Sequence, residues 1–234
     1  MKIKSFSVCF HSSKKNLWLQ EQYQALKPLF AFYSISVRFR SLIHSSAYDS
    51  YSQLVNEAVA FSEHDVVLLV NDRVKPTTKD YVKCIALLEQ GFAAVSLYSV
   101  GFLGVSKQLF ARVGWWDHRY IGGGYEDDEF VIKLFAHNLA YYESEEALYD
   151  MSWKSDARPS EGLKCSVSGP FFCQKWLFSG DKIVQKIPDL KYPSYDLAIS
   201  NINVELFCWR PWSHSIVGVC FEYSMHVNTV SYTH

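Results

Sequence analysis

Two hydrophobic periods alternate along the first hundred residues of this 234-residue chain. Stretches with apolar residues at every second position, or in a short unbroken run, indicate strands, and apolar residues at helical spacing indicate helices. The predicted strands cover residues 2–10, 30–39, 66–70 and 92–97, and the predicted helices cover 17–29, 51–59 and 81–88. This alternation predicts an α/β fold with a mostly parallel central sheet and helices on both faces.

The unbroken apolar run from Val66 to Val70 is typical of a central strand that is covered on both faces. Asn71, Asp72 and Arg73 follow it, and ligands of open α/β sheets bind beyond the carboxyl ends of the strands. Asp72 could bind a divalent cation there, with Asn71 in support and Arg73 facing the phosphate oxygens of a substrate. An Asn-Asp pair is equally typical of a plain turn, so both interpretations stay open.

Residues 122–128 read Gly-Gly-Gly-Tyr-Glu-Asp-Asp, and a helical apolar pattern follows them. Carboxylates at a helix N-terminus are stabilised by the helix dipole, which is a purely structural reason for their presence. Three consecutive acids also repel one another, however, and the glycines allow the backbone to approach a ligand closely. Aromatic residues surround the glycines, which predicts a mobile lid over a polar substrate. These residues are Trp115, Trp116, Tyr120 and Tyr125.

Composition narrows the range of functions. The formal net charge of −1 argues against a generic nucleic-acid-binding protein, which needs an excess of positive charge. No apolar stretch approaches the roughly 20 residues of a spanning helix, and residues 1–10 lack the apolar core of a signal peptide. We therefore expect a soluble, cytoplasmic protein. The six cysteines show no CxxC spacing, so we expect reduced thiols and no cysteine zinc site.

Regular patterning weakens from about residue 145, where prolines and glycines interrupt the apolar positions. We predict a core at residues 1–145 and an irregular C-terminal extension at 146–234 that packs on it within one compact domain. The extension is expected to include strands near 215–223. Its lone histidines are more often ordinary core or surface residues than metal ligands. They are His214, His226 and His234.

Three blocks of sequence resemble the signature of GT-A glycosyltransferases, in particular the β-1,4-galactosyltransferase type and related inverting family-2 enzymes. The blocks run from Gly101 to Phe110, from Gly114 to Trp116 and from residue 122 to 130, and their order and spacing both match. The resemblance implies a GT-A (Rossmann-like) fold whose core binds a nucleotide sugar. It also implies inverting transfer of a sugar from a UDP- or GDP-linked donor to a hydroxyl of a glycan or another acceptor, with Mn²⁺ or Mg²⁺ as cofactor.

The resemblance also implies roles for individual residues. Asp127 corresponds to the general base, which takes the proton of the acceptor hydroxyl, and Asp72 corresponds to a metal ligand beside the departing diphosphate. The implied substrate contacts are Glu126, Asp128, Gly123, Gly124, Tyr125, Trp115 and Trp116. The implied donor contacts are His11, Ser12, Asn56, Asn71 and Arg73.

The chain departs from the family pattern at three places. The usual Asp-x-Asp metal motif has Val70 at its first acidic position. The tryptophan on which galactosyltransferases stack the acceptor is replaced by Gly123, so Tyr125 or Trp115 would take that role. A downstream histidine ligand has no clear counterpart, although Asp150 and Asp156 fall in its region.

These departures motivate a second hypothesis, a catalytically silent sugar- or nucleotide-binding protein of the same fold. A nucleotidyltransferase is a third hypothesis. It is less favoured because residues 11–15, His-Ser-Ser-Lys-Lys, contain no glycine where that class has a glycine-rich loop.

Overall fold

The computed structural model describes residues 2–12, 17–41, 51–121, 124–144, 167–179, 182–189 and 203–204. The helices are α1 (Leu17–Leu26), α2 (Tyr51–Ala60), α3 (Thr78–Glu89), α4 (Lys107–Val113), α5 (Glu126–Ala136) and α6 (Gly169–Lys175). The first six strands are β1 (Ser5–Ser12), β2 (Ser34–Ser41), β3 (Val66–Asn71), β4 (Ala94–Leu97), β5 (Phe102–Ser106) and β6 (Tyr141–Glu143). Three more follow, namely β7 (Trp176–Ser179), β8 (Lys182–Gln185) and β9 (Asn203–Val204).

A six-stranded sheet in the order β2-β1-β3-β5-β4-β6 forms the centre of the protein. The β1–β2, β1–β3 and β4–β6 pairs are parallel, and β5 alone runs antiparallel to both of its neighbours. The predicted α/β class with a mostly parallel sheet is therefore confirmed. The carboxyl ends of β1, β3, β4 and β6 all lie at one edge of this sheet.

Helices cover both faces of the sheet, as the alternating strand pattern requires. On one face, Val8 and Leu68 pack in a core cluster with residues of α1 and α3, such as Trp18 and Tyr81. On the other face, neighbouring strand residues such as Leu69 pack in a second cluster with residues of α2, α4 and α5. Every side chain of β3 is buried, which confirms that the unbroken apolar run forms a central strand.

Two predicted strand boundaries are wrong by several residues. The second strand begins at Ser34 and not at residue 30, because Lys27–Ala31 continue α1 as a 3₁₀ turn with Pro28 in its first turn. The fourth strand begins at Ala94, after Gly91 takes a positive φ of 101° at the end of α3.

Gly104 marks a close approach between β5 and α3, which is a common reason for a glycine within a strand. A β-carbon at this position would collide with the Sγ of Cys84. Gly101 is confined in the same way, because its β-carbon would lie 2.7 Å from Cγ1 of Val74. At both glycines, a neighbouring side chain packs directly against the backbone.

The C-terminal part of the described chain adds α6 and a three-stranded antiparallel sheet in the order β7-β8-β9. Its Phe172, Trp176 and Ile183 form a third core cluster with Tyr120 and Ile132. The strands predicted near 215–223, the three C-terminal histidines, Asp150 and Asp156 lie outside the described residues. Cys9, Cys84 and Cys173 are free thiols.

Among the helices that the structure describes, none has both the length and the apolar character needed to cross a membrane.

Candidate active site

The carboxyl ends of β1 and β3 lie side by side and bring together two segments that the sequence analysis selected. His11 pairs with Asn71 in the parallel register, and the Asp72 N–H donates to the His11 carbonyl at 3.0 Å. Asp72 is buried, with 3% of its surface exposed. Its carboxylate therefore lies at the sheet edge where ligands of such folds bind.

The segment that follows β3 is both a turn and a candidate ligand-binding segment. The Oδ1 of Asn71 accepts a hydrogen bond from the Arg73 N–H at 3.0 Å, which closes an Asx-type turn. Val70 lies in the core cluster beneath α1 and α3 and is fully buried. Asp72 is thus the carboxylate that residues 70–72 offer to a cation.

Tyr51, the first residue of α2, connects this edge with α5. Burial raises the pKa of its hydroxyl to about 12, while a hydrogen bond with the Asn71 side chain and the charge of Arg73 act in the opposite direction. The charges of Glu126 and Asp127 also act on this hydroxyl and raise its pKa. Residues 71, 73, 126 and 127 therefore all act on one hydroxyl group, which brings the first turn of α5 within electrostatic range of this edge of the sheet.

The ring of Tyr51 extends this arrangement. Its centroid lies 5.9 Å from that of His11 and 6.2 Å from that of Trp116, in edge-on geometry. The sequence analysis used Tyr51 as part of a helical face and missed its place in the site. A tyrosine at the first position of a helix that follows a polar loop was the available signal.

The chain enters α5 through two residues with positive φ, Gly124 at 97° and Tyr125 at 73°. The left-handed backbone at Tyr125 turns the glycine-rich segment sharply into the helix, and the Tyr125 ring stacks on Phe172 of α6 at 5.4 Å. Four acids then occupy the first turn of α5. Gly123 lies outside the described residues.

Glu126 is a buried carboxyl group with 7% of its surface exposed. Its Oε2 has no hydrogen-bond partner among the residues that the structure describes. Burial, followed by the charges of Asp127 and Asp128, raises its pKa to about 8. At neutral pH the group is therefore mostly protonated and can donate a hydrogen bond to a ligand oxygen.

Asp127 is half-buried and stands between two elements. One neighbour is Tyr51, and the other is Glu143, the last residue of β6. Burial raises the pKa of Glu143, and the charge of Asp127 raises it further. The sequence analysis predicted neither β6 nor a role for Glu143, because a strand of three residues has too little pattern to identify.

Asn56 and the two tryptophans hold the loop before the glycines. The Asn56 side chain donates to the Trp116 carbonyl at 2.8 Å, accepts from the Trp116 N–H at 3.0 Å and contacts His118 Nε2 at 2.8 Å. Trp115 and Trp116 are buried in the core cluster against Phe110 and Phe130. Their burial favours packing over stacking on a substrate, and the predicted ligand contacts of these three residues stay predictions.

Behind α5 lies an ionic cluster that the sequence analysis missed. It consists of Asp117, Glu129, Asp189, Lys133 and Lys175. The three carboxylates offer oxygens within 4.8 Å of one another, a spacing that suits a metal ion. The Nζ of Lys175 already lies 2.6 Å from Asp117, 2.7 Å from Glu129 and 2.6 Å from Asp189. An ammonium group thus takes the place of a cation, and the cluster does not fit a metal.

The lysines set the charge state of the ionic cluster. Burial by itself would raise the pKa of Glu129, but the charges of Lys133 and Lys175 outweigh it and lower that pKa. The pKa of Asp117 is also lowered, because the hydrogen bond from Arg119 and the charge of Lys175 outweigh its burial. Both carboxylates are therefore ionised at neutral pH.

The remaining predicted site residues lie on the first turn of α5 or at the carboxyl ends of β1 and β3. Asp128 lies half-buried on the first turn of α5, and Arg73 follows Asp72 at the sheet edge. Ser12 ends β1, and its side chain lies outside the described part of the structure. The roles of all these residues in binding a donor, an acceptor or a metal stay predictions.

No protein-family model matches the chain, and no curated protein matches it. A search of solved structures finds the catalytic domain of Drosophila β1,4-galactosyltransferase 7 in complex with xylobiose. It is 11% identical with a TM-score of 0.44, and the match covers 62% of this chain and 66% of that chain. A mutant of that domain, bound to manganese, UDP-Gal and xylobiose, is 13% identical with a TM-score of 0.39, covering 60% and 65%.

A candidate nucleotide-diphospho-sugar transferase from Desulfovibrio desulfuricans G20 also matches, at 10% identity and a TM-score of 0.38, covering 70% of this chain and 98% of that chain. The chain spans about two-thirds of the length of the two galactosyltransferase domains. At such low identities and TM-scores, the function has to be argued from the residues of the site.

Proposed function

We propose that this protein is a glycosyltransferase that moves a sugar from a nucleotide-diphosphate sugar, UDP- or GDP-linked, to a hydroxyl group of an acceptor. We further propose that the reaction inverts the configuration at the anomeric carbon and depends on a divalent metal ion. The observation that supports the proposal is that residues 71 and 73, at the carboxyl end of β3, and residues 126 and 127, on the first turn of α5, all act on the hydroxyl of Tyr51.

This arrangement supports two kinds of chemistry at one sheet edge. Asp72, Asn71 and Arg73 offer a carboxylate, an amide and a guanidinium to a diphosphate and its counterion. Asp127, on the first turn of α5, offers a carboxylate that is accessible enough to take a proton. A donor at the ends of β1 and β3 would thus lie beside a base on α5.

The proposed reaction is a single displacement. The acceptor oxygen attacks the anomeric carbon while its proton passes to Asp127, and the bond between that carbon and the diphosphate oxygen breaks. The diphosphate leaves from the face opposite the attack, which inverts the configuration, and the transition state is oxocarbenium-like. Glu126, protonated at neutral pH, can donate a hydrogen bond to a sugar oxygen without competing for that proton.

The residues at the sheet edge fit a divalent ion with a preference for oxygen ligands. Asp72 is a buried carboxylate that directly follows β3 at this edge. We propose Asp72 as the protein ligand, with the substrate diphosphate completing the shell. When bound, Mn²⁺ or Mg²⁺ would neutralise the charge that develops on the departing diphosphate.

The decisive experiment replaces the proposed base. Asp127→Asn keeps the size of the side chain and removes its basicity, so transfer should fall by about 10²–10⁴-fold while donor binding by calorimetry is unchanged. Asp65→Asn is the matched control, because Asp65 is an exposed acid at the opposite end of β3. Full activity of Asp127→Asn with any donor that the wild type uses would disprove the assignment of the base.

A silent binding protein is the second candidate, and the position of Val70 in the core favours it. That residue removes one of the two acids of the usual metal motif and cannot turn outward without exposing the core. Calorimetry with UDP- and GDP-sugars, followed by assays for transfer and donor hydrolysis, separates the candidates. Binding without any turnover of the donor would support the silent protein.

A further inference from the structure

Glu129 is unusual among the acids of α5 because every acceptor position of its buried carboxylate is used. Its Oε1 accepts from Lys175 at 2.7 Å and from Lys133 at 2.9 Å. Its Oε2 accepts from the Tyr120 hydroxyl at 2.5 Å and from the Trp176 indole N–H at 3.0 Å. A carboxylate with four such partners fixes its stretch of helix in one position.

The ionic cluster also balances its charge. Its carboxylates belong to Asp117, Glu129 and Asp189, and its ammonium groups belong to Lys133 and Lys175. The guanidinium of Arg119 adds a third positive charge, with its Nη2 2.6 Å from Asp117 Oδ2. Removing one cation would leave an uncompensated negative charge in the protein interior, which is strongly unfavourable.

The ionic cluster joins the two ends of the glycine-rich segment 121–125. Asp117 and Tyr120 precede this segment, Glu129 follows it, and Lys175 and the Tyr120 hydroxyl connect them. The part of the chain just before α6 adds a further hold, because the Ser168 hydroxyl donates to the Ile121 carbonyl at 2.9 Å. The described residues on either side of the glycines are thus bound by the C-terminal extension.

We propose that Lys175 is a positioning residue for the acids of α5, an inference that rests on the proposed function. It lies outside the core predicted at residues 1–145, and its ammonium group binds the carboxylates of Asp117, Glu129 and Asp189. By neutralising Glu129 and Asp117, it holds the first turn of α5 where Asp127 faces the sheet edge. The three carboxylates that its ammonium group binds lie before the glycines, on α5 and in the C-terminal extension. Lys175 should therefore affect turnover and not donor affinity.

The test compares Lys175→Met with Lys182→Met, which removes an exposed lysine from the neighbouring β8. Hydrogen exchange followed by mass spectrometry should show amides of residues 126–130 exchanging at least about tenfold faster in Lys175→Met, with β1 and β3 unchanged. The kcat of that variant should fall by about a hundredfold, with donor affinity within about twofold of wild type. Lys182→Met should match wild type in all three measurements.

Two results would overturn the inference. One is unchanged exchange at residues 126–130 in Lys175→Met. The other is a parallel loss of donor affinity and of protection in β3, which would show general destabilisation. If Lys175→Met does not fold, Glu129→Gln carries the same test, because it keeps the shape and removes the charge. If the wild type transfers no sugar, the proposed function fails, while the exchange measurement still decides the role of Lys175.

Discussion

Two glutamates one helical turn apart on α5 have pKa values shifted in opposite directions. Burial and the neighbouring acids raise the pKa of Glu126 to about 8, whereas the lysines of the ionic cluster lower that of Glu129. Glu126 can therefore act as a neutral hydrogen-bond donor beside a substrate, while Glu129 serves as a permanently charged anchor. Such divergence of pKa values is typical of active sites.

The raised pKa of Glu126 makes stability depend on pH. The folded protein keeps this proton up to a pH of about 8, whereas an unfolded glutamate loses it near 4.5. The stability that the protonated group contributes is fully present below 4.5 and is lost as pH rises through about 8. Glu126→Gln cannot lose a proton, so it should be more stable than wild type at pH 9 by about 2–4 kcal/mol.

Urea unfolding of wild type and Glu126→Gln between pH 4 and pH 9 measures this difference. The two free energies of unfolding should converge at the acid end and separate as the pH rises. Glu63→Gln, at an exposed acid before β3, is the control and should follow wild type. A constant difference between Glu126→Gln and wild type over this range would show that the pKa of Glu126 is the same in the folded and unfolded states.

The metal hypothesis depends on a single residue, Asp72. Loss of an outer-shell partner of a ligand typically costs 10–100-fold in metal affinity, so Asp72→Ala should weaken Mn²⁺-dependent nucleotide binding by about a hundredfold or more. Calorimetry with UDP and GDP, with and without Mn²⁺, measures the effect, and Asp65→Ala is the control. Equal nucleotide affinity in Asp72→Ala and wild type, with and without metal, would remove Asp72 from the site.

At the scale of the elements, α2 performs two tasks. The hydroxyl of its first residue, Tyr51, is influenced by residues at the end of β3 and on the first turn of α5. Asn56 holds the loop that precedes the glycines through its hydrogen bonds with Trp116. Asn56→Ala would leave the N–H and carbonyl groups of Trp116 without these partners. The free energy of unfolding should therefore fall by about 2–4 kcal/mol, because each buried polar group left unsatisfied costs about 1–3 kcal/mol.

Urea denaturation monitored by tryptophan fluorescence tests this prediction. Gln53→Ala, on the exposed side of the same helix, removes a surface hydrogen bond to Glu57 and should change stability by less than about 0.5 kcal/mol. Equal stability of Asn56→Ala and Gln53→Ala would show that Asn56 does not hold the loop.

The elements also show how far local patterns predict this molecule. The apolar run of β3 and the helical periods of α2 and α5 identified the elements that carry the site, because burial on two faces or one face leaves a direct trace in sequence. The roles of Tyr51 and Glu143 could not be found in this way. They depend on which strand ends and helix ends become neighbours, and sequence spacing does not record that.

At the scale of the whole molecule, the same reason explains why the ionic cluster was missed. Lys133 alone looks like an ordinary helical lysine, and Lys175 and Asp189 lie in a part of the chain with weak periodicity. Lys175 forms hydrogen bonds with Glu129 and Asp117, which lie 46 and 58 residues earlier in the chain. The irregular C-terminal extension therefore supplies groups that the regular core needs.

This dependence yields a prediction about domain structure. A fragment of residues 1–145 would lack Lys175, Trp176 and Asp189, so Glu129 and Asp117 would lose an ammonium partner and Tyr120 would lose its apolar cover. Breaking a buried ion pair by removing one partner costs about 3–5 kcal/mol, a large share of the stability of a typical domain. We expect the fragment to form some secondary structure at most and to unfold without a cooperative transition.

Circular dichroism and urea denaturation of the fragment, beside the full chain, measure this loss. The fragment with Asp117→Asn and Glu129→Gln is the matched control for charge. It removes the buried negative charges but does not restore the missing apolar contacts. Recovery of a cooperative transition in that fragment would assign the loss to electrostatics, and no recovery would assign it to the missing Phe172 and Trp176. A cooperative transition of the unmodified fragment close to that of the full chain would contradict the single domain and show that residues 1–145 fold alone.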